Sequence, residues 1–321
     1  MLAASLVVLA LGACAPAPAE APLPKEPVAA GGVTIAMPVP MNTDKPGEVH
    51  LGNFSYAGGL ALAASGTTRL HGLSDLIVEP DGRLSAVSDE GDLLTARLAL
   101  DRAGRPIGLA DAKITALPGL DGQPLPGKTE ADAEGLAVLA NGDRLVSFER
   151  HHRIWLYPAA GGPPREVPAP AASLPENGGM EALAADPATG PDAYIAGGEE
   201  SGQLWRCRIG GACAEAGKVE KPSDFGLVAM RPLPKGQTVY LLRAWDPIRG
   251  SRIVLKIAGP AGEVDRLELA KPLTVDNFEG VSAVPISGGL RFYLLSDDNF
   301  QKSQRTLLMA FDWRAPTRRT P

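Results

Sequence analysis

The chain has 321 residues, 45% of them hydrophobic and 21% charged, with a net charge of -6. That balance excludes a disordered or fibrous chain and supplies apolar mass for a large core. No basic footprint is present, so nucleic acid is not expected as a partner. The 37 glycines and 30 prolines favour short strands joined by tight turns over long helices.

The first element is an apolar run from Met1 to Gly12, closing on Leu11-Gly12-Ala13-Cys14. It is too short to span a membrane as a mature helix and reads as an export signal. Its ending resembles a bacterial lipobox. That resemblance implies a signal peptide over residues 1–13, a lipid on the Cys14 sulfur, and a place in the cell envelope. The membrane would then be a partner through this N-terminal lipid anchor, on the periplasmic side and at the outer membrane. No Lys or Arg precedes the run, a departure from the usual signal. The alternative is an ordinary signal cleaved after a later small residue such as Ala19, leaving a soluble periplasmic or secreted protein. Residues 14–47, rich in Ala and Pro, read as an extended tether. The folded domain is expected over 48–314, with a tail at 315–321.

From His71 onward the chain repeats one phrase five times. A small-residue turn led by an acidic or polar residue opens an apolar strand; a Pro/Gly/Asn turn follows, then a strand ending in carboxylates. The copies begin at His71-Gly72-Leu73-Ser74-Asp75, Asp132-Ala133-Glu134-Gly135-Leu136, Met180-Glu181-Ala182-Leu183, Asp224-Phe225-Gly226-Leu227 and Asn277-Phe278-Glu279-Gly280-Val281. Their turns are Pro80-Asp81-Gly82, Asn141-Gly142-Asp143, Asp186 to Gly190, Pro234-Lys235-Gly236 and Gly288-Gly289. Asn-Gly and Asp-Gly supply the positive φ that tight hairpins need. A third strand follows in each copy, and a fourth is visible in some, as at Val264 to Leu269. The pattern predicts an all-β fold, a single β-propeller of five or six four-stranded blades. The strand-like stretch Glu48 to Ala63 would complete the last blade and so close the ring. Extra sequence from Asp101 to Lys128 is the candidate for a sixth blade.

Strand direction turns this repeat into a map. In an antiparallel hairpin the start of the first strand lies beside the end of the second. Glu134, Glu181 and Glu279 stand at first-strand starts, and Asp89, Glu149, Glu199, Asp246 and Asp297 at second-strand ends. All should ring one mouth of the central channel, with His71 taking the glutamate position in the first copy and Phe225 in the fourth. Clustered carboxylates repel one another, so a hard cation, neighbouring arginines or water must relieve them. On the first reading Glu134, Glu181, Glu279 and Asp89 hold a divalent cation, Ca²⁺ in the first instance. Glu149, Asp297, Asp298 and His71 are then the catalytic candidates, and Arg150, Arg305 and His151 the substrate-binding ones. On the other reading the acids cap strand ends and pair with Arg150, Arg243, Arg249 and Arg305.

Cys207 and Cys213 flank Ile209-Gly210-Gly211. A three-residue hairpin loop with a left-handed Gly would place them face to face, within reach of a disulfide; the alternative is a pair of reduced thiols. No Gly-x-Ser-x-Gly elbow, HExxH or P-loop occurs, which disfavours a serine-hydrolase mechanism.

Several of these segments together resemble the bacterial "esterase-like activity of phytase" family, the phytase-like domain. They are Asp132 to Leu136 with Ser147-Phe148-Glu149-Arg150-His151, Asn177 to Leu183, Pro272 to Gly280, Leu295 to Phe300 and Gln304 to Leu308. The resemblance runs from about Leu51 to Trp313 and implies a propeller, export and phosphoester hydrolysis. The Asp-Asp-Pro-rich and Asn-Asn-Val-Asp-type motifs of calcium-dependent propeller phytases are absent, so phytate itself is not the expected substrate. The expectation is a metal-dependent phosphoester or ester hydrolase acting on a small molecule at an acidic mouth. The alternative is a non-catalytic envelope propeller that binds a glycan, a peptide or a partner protein.

Overall fold

The computed structural model describes residues 34–65 and 67–316. The proposed signal peptide, the Cys14 lipidation site and the start of the tether lie outside the described residues. Three strands come first: β1 (Thr34–Pro38), β2 (His50–Leu51) and β3 (Phe54–Ala64). Blade one is β4 (Leu73–Val78), β5 (Arg83–Ser88), β6 (Asp92–Leu100) and β7 (Pro106–Ala116). Blade two follows a five-residue helix, α1 (Gly127–Ala131), with β8 (Ala133–Val138), β9 (Arg144–Phe148), β10 (Arg153–Tyr157) and β11 (Arg165–Val167). Blade three is β12 (Ala182–Ala185), β13 (Ala193–Gly197), β14 (Gln203–Arg208) and β15 (Cys213–Lys218). Blade four is β16 (Gly226–Leu233), β17 (Gln237–Asp246), β18 (Gly250–Gly259) and β19 (Gly262–Leu269). Blade five takes β20 (Asn277–Ile286), β21 (Gly289–Asp297) and β22 (Thr306–Trp313) from the C-terminal end, and β3 then β1 from the N-terminal end.

The fold is therefore an all-β propeller of five antiparallel blades, and a strand from the N-terminal end closes it. Every hairpin turn read from the sequence sits between the first two strands of its blade. The candidate sixth blade is not one. Asp101 to Lys128 supplies the turn before β7, β7 itself, and a loop leading into α1, because its apolar residues suffice only for one outer strand. The folded unit also begins earlier than residue 48, since Thr34–Pro38 pairs along the outer edge of β3. An aromatic trio seals the closure: Phe54 of β3, Phe292 of β21 and Trp313 of β22 lie with ring centroids 6.3–6.5 Å apart. All three are buried, and such contacts add to the gain from area burial.

Cys207 and Cys213 face each other across β14 and β15 and form a disulfide. The connecting turn differs from expectation: it covers four residues, and neither Gly210 nor Gly211 is left-handed. The Gly211 N–H bonds to the Arg208 carbonyl at 3.1 Å instead.

The first strands β4, β8, β12, β16 and β20 stand around the central channel, each beside the next. Their closeness explains the Gly of the Glu-Gly pairs. A methyl group on Gly135 would lie 2.5 Å from the Glu181 carbonyl oxygen, and one on Gly280 would lie 3.0 Å from the Asp75 Cα. Side chains stitch the ring: the Ser147 hydroxyl donates to the Met180 carbonyl at 2.6 Å, and the Val78 N–H to the Ser282 hydroxyl at 2.8 Å.

One ion pair blocks the channel. Arg231 of β16 reaches across to Asp75 of β4, with Nη2 2.7 and 2.8 Å from the two carboxylate oxygens. Asp75 is fully buried and also accepts the Leu136 N–H at 2.9 Å. The Arg231 Nη1 donates to the Leu183 carbonyl at 2.8 Å and the Met230 carbonyl at 2.6 Å. This floor ties four of the five blades together at the axis.

Candidate functional site

Above the floor, at the end of the channel where the first strands begin, lies a cavity of about 340 Å³. Two concentric rings build it, and the register assigns each member. Opposite the junction of the first two strands, an unpaired bulge residue falls between Leu73 and Asp75, Ala133 and Gly135, Leu227 and Ala229, and Phe278 and Gly280. Those residues are Ser74, Glu134, Val228 and Glu279; Glu181 takes the equivalent place in blade three, just before β12. A bulge re-aims its side chain and ends regular pairing, which turns these groups toward the channel. The outer ring is the residue at or just past the end of each second strand's pairing with the first: Asp89, Glu149, Glu199, Arg243 and Asp297. Ring geometry thus brings together Glu134, Glu181, Glu279, Asp89, Glu149 and Asp297 from the sequence reading, all lining the cavity.

The register corrects the two exceptions. His71 does not occupy the glutamate position; Ser74, three residues on, does. The histidine lies outside the cavity, its side chain 40% exposed, with Nδ1 2.7 Å from Asp298 and its ring against Phe300. In blade four the ring position belongs to Val228 rather than Phe225. Asp246, taken from the sequence as a second-strand end, lies away from the cavity with Arg249 at 2.6 Å. Arg243 stands in the outer ring of that blade instead.

Other candidates separate in the same way. Asp298 turns from the mouth to accept from His71, the Gly72 N–H at 3.2 Å and the Thr306 hydroxyl at 3.1 Å. Burial presses its pKa upward, yet these bonds outweigh burial and hold the carboxyl below its usual range. His151 is exposed and sits 2.6 Å from Glu130. Arg305 lines a neighbouring cavity, half-exposed, its N–H 3.2 Å from Asp276. Arg150 does reach the mouth, in a left-handed conformation with φ of 56°, and its Nε lies 2.5 Å from Asp132.

Among the cavity groups not singled out from the sequence as site residues are Asp132, Lys128 and Arg243. Asp132 precedes the bulged strand by one residue and repeats in no other blade. Lys128 comes from α1, which has no counterpart elsewhere. Arg243 was read as a strand-end partner, and its place in the ring follows from the register alone. Lys128 pairs with Asp89 and, at 3.2 Å, with Asp132. Arg243 pairs with Glu279 and reaches Asn277 at 2.8 Å and Glu199 at 3.2 Å.

The charge does not balance. Eight carboxylates line the cavity against three cations. Glu134 and Glu181 accept no hydrogen bond from any described residue, and Glu181 is more than nine-tenths buried. The Asp89 Oδ1 is buried without a partner as well. Burial, then mutual repulsion, pushes Glu134 and Asp297 well above the usual carboxyl range. Glu181 is driven the same way by burial and by Glu199, against the pull of Arg243. Glu279 rises to about 7 and Asp89 to about 6, burial being the leading cause in both. Glu149 is raised less, because its Oε1 accepts the Gly178 and Gly179 N–H groups at 2.5 and 3.0 Å. Such a set either keeps several protons or gathers around a cation. Asp132, Glu134 and Glu149 bring one oxygen each within 4.8 Å of one another, close enough to hold a metal ion.

The family model "Phytase-like: Esterase-like activity of phytase" matches residues 68–300, so the chain belongs to that family. No curated protein matches the sequence. Among solved structures, a putative gluconolactonase is similar at 13% identity over 81% of this chain and 82% of its own, with a TM-score of 0.47. Virginiamycin B lyase from Staphylococcus aureus is similar at 12% identity over 84% of each chain, with a TM-score of 0.40. The Malassezia sympodialis allergen Mala s 1 is similar at 13% over 83% of this chain and 90% of its own, with a TM-score of 0.42.

Proposed function

We propose that this phytase-like propeller hydrolyses phosphoesters or carboxylic esters at the acidic mouth, with a divalent cation, Ca²⁺ in the first instance. One observation carries the reading: eight carboxylates and three cations share one cavity, and two of the inner-ring glutamates accept no hydrogen bond from a described residue. An architectural role would have paired them, as the floor pairs Asp75. The donor set suits a hard cation, being all oxygen and partly unsatisfied. Asp132, Glu134 and Glu149 would hold it, with Glu181 and Asp89 near at hand. When bound, such an ion polarises an ester or phosphoryl oxygen and acidifies a coordinated water.

The protein's own groups supply the rest. Glu279 and Asp297 repel each other, so the pair retains a proton near neutral pH. A carboxyl held protonated in this way can pass its proton to a leaving oxygen and later take one from water. Lys128, Arg150 and Arg243 face the same space and stabilise negative charge building on the reacting group. Glu149 is kept in position by two backbone N–H groups.

The place of action is the cell envelope, by way of the lipobox-like Cys14 segment. The Cys207–Cys213 disulfide supports an oxidising compartment. Purified protein, stripped of metal and then titrated with Ca²⁺, Mg²⁺ or Zn²⁺, is assayed on aryl phosphates, phosphodiesters and short acyl esters. The expected result is metal-dependent turnover and a raised Tm. Absence of turnover on every substrate with every ion refutes hydrolysis, and a flat Tm refutes the cation.

A further inference from the structure

The acidic mouth does not stand alone on its face. A cavity of about 590 Å³ adjoins it, sharing Glu199, Arg243 and Asn299. A third, of about 700 Å³, shares Trp245, Asn277 and Asn299 with the second. Together they form a groove running outward from the mouth along blade four. Trp245 stands in both outer cavities and is 65% exposed. The other three tryptophans are buried: Trp155 at 6%, Trp205 at 9% and Trp313 at 4%.

The chemistry around that indole is specific. Gln301, Gln304 and Asn299 present planar amides, and Ser251 and Arg305 add further hydrogen-bonding groups; the Asn277 amide is already engaged by Arg243 and Glu279. No apolar side chain other than Trp245 and Val275 lines the outermost cavity. The middle cavity adds only Phe225 and Ala244 to that apolar surface, too little for the side chains of an apolar peptide. A pyranose ring offers the matching surface: an apolar CH face to lie on the indole, and hydroxyls around its edge for the amides. The loop that carries the junction is also held in a costly conformation. Asn299 and Phe300 are consecutive left-handed residues, with φ of 47° and 55°. Strain of this kind persists where the surroundings enforce it and is concentrated at ligand sites.

We propose that the Trp245 groove is a saccharide subsite, and that the substrate of the mouth is a glycan or glycosyl compound carrying an ester or phosphoester. The second half rests on the proposed hydrolase function; the first does not. The test therefore reads binding separately from turnover. Intrinsic fluorescence of the full protein is titrated with neutral trisaccharides of the glucose, galactose and N-acetylglucosamine series. Because only Trp245 is exposed, a saccharide on it gives a saturable blue shift or quench. Isothermal titration calorimetry carries the same series to variants without the indole: Trp245→Ala should abolish the binding heat without altering the circular dichroism spectrum, and Trp245→Phe should retain binding weakened roughly tenfold. Glu279→Gln should leave the signal intact while removing turnover. A response unchanged in Trp245→Ala, or none with any saccharide, overturns the subsite. So does a response to short peptides in place of sugars. Saccharide binding without turnover on any ester keeps the subsite and removes the hydrolase reading instead.

Discussion

Two charged clusters lie along one channel and differ in every respect that matters for function. At the floor, Asp75 and Arg231 match one to one, and backbone groups of neighbouring blades add hydrogen bonds to both, leaving only the Arg231 Nε without a partner. At the mouth, the acids outnumber the bases and two glutamates accept no hydrogen bond from a described residue. Evolved cores bury charge when it is paired and hydrogen-bonded. The floor follows that rule and reads as architecture. The mouth breaks it, and a surplus held in place by five rigid blades is a site with something left to bind.

The largest effect should come from the floor. Arg231→Met leaves Asp75 buried beside a lost counter-charge, and breaking such a pair costs about 3–5 kcal/mol. Urea denaturation measures this, with Asp75→Asn added to recover part of the loss. A cost under about 1 kcal/mol would remove the floor's architectural role. At the mouth the balance inverts. Glu279→Gln should lower turnover on the order of 10²-fold or more, while the metal-free Tm stays level or rises because repulsion is relieved. A drop in turnover matched by an equal collapse of Tm would make Glu279 a structural residue.

A pH series sharpens the contrast further. Glu279 is raised to about 7 in the folded protein, above the ordinary carboxyl value of about 4.3 in the unfolded chain. Between those values the folded state binds more protons than the unfolded one, so stability falls as pH rises through this window. Metal-free protein should therefore melt at lower temperature at pH 7 than at pH 5. Saturating Ca²⁺ should shrink the difference, and Glu279→Gln should reduce it, the other raised acids of the mouth supplying the remainder. A Tm that climbs steadily from pH 5 to 7 contradicts the shift. The smallest effect belongs to His71→Ala. Its imidazole braces Asp298 outside the cavity, so turnover should stay within a few-fold of the parent. A hundred-fold loss would return His71 to the site.

The blades were legible because their signals are local. Each turn carries its own glycine or proline, and each strand its own apolar run, so hairpins and the closing strand follow from short stretches of chain, while the long stretch from Asp101 to Lys128 left the count at five or six. The acid rings were legible for a related reason, since strand direction alone puts first-strand starts beside second-strand ends. What escaped was offset. His71-Gly72-Leu73 resembles Glu134-Gly135-Leu136 in its Gly-Leu, but the pairing makes Ser74, three residues on, the counterpart of Glu134. Blade four hides its exception twice, with Val228 and Arg243 in place of acids. The floor pair is separated by 156 residues and has no spacing rule. Its only signs were a lone Arg after Val228-Ala229-Met230 and a lone Asp inside Leu73 to Val78. A charge within an apolar strand is a signal in its own right, because it must find a partner somewhere.

The closing strand has a consequence for the order of assembly. β3 pairs with β22, so the ring joins the first part of the chain to the last. Until Thr306–Trp313 has been made, a growing chain is an open row of blades with an unpaired edge on β3 and another on β21. Folding of the whole must await the final segment, and premature arrest leaves two sticky borders rather than a smaller propeller.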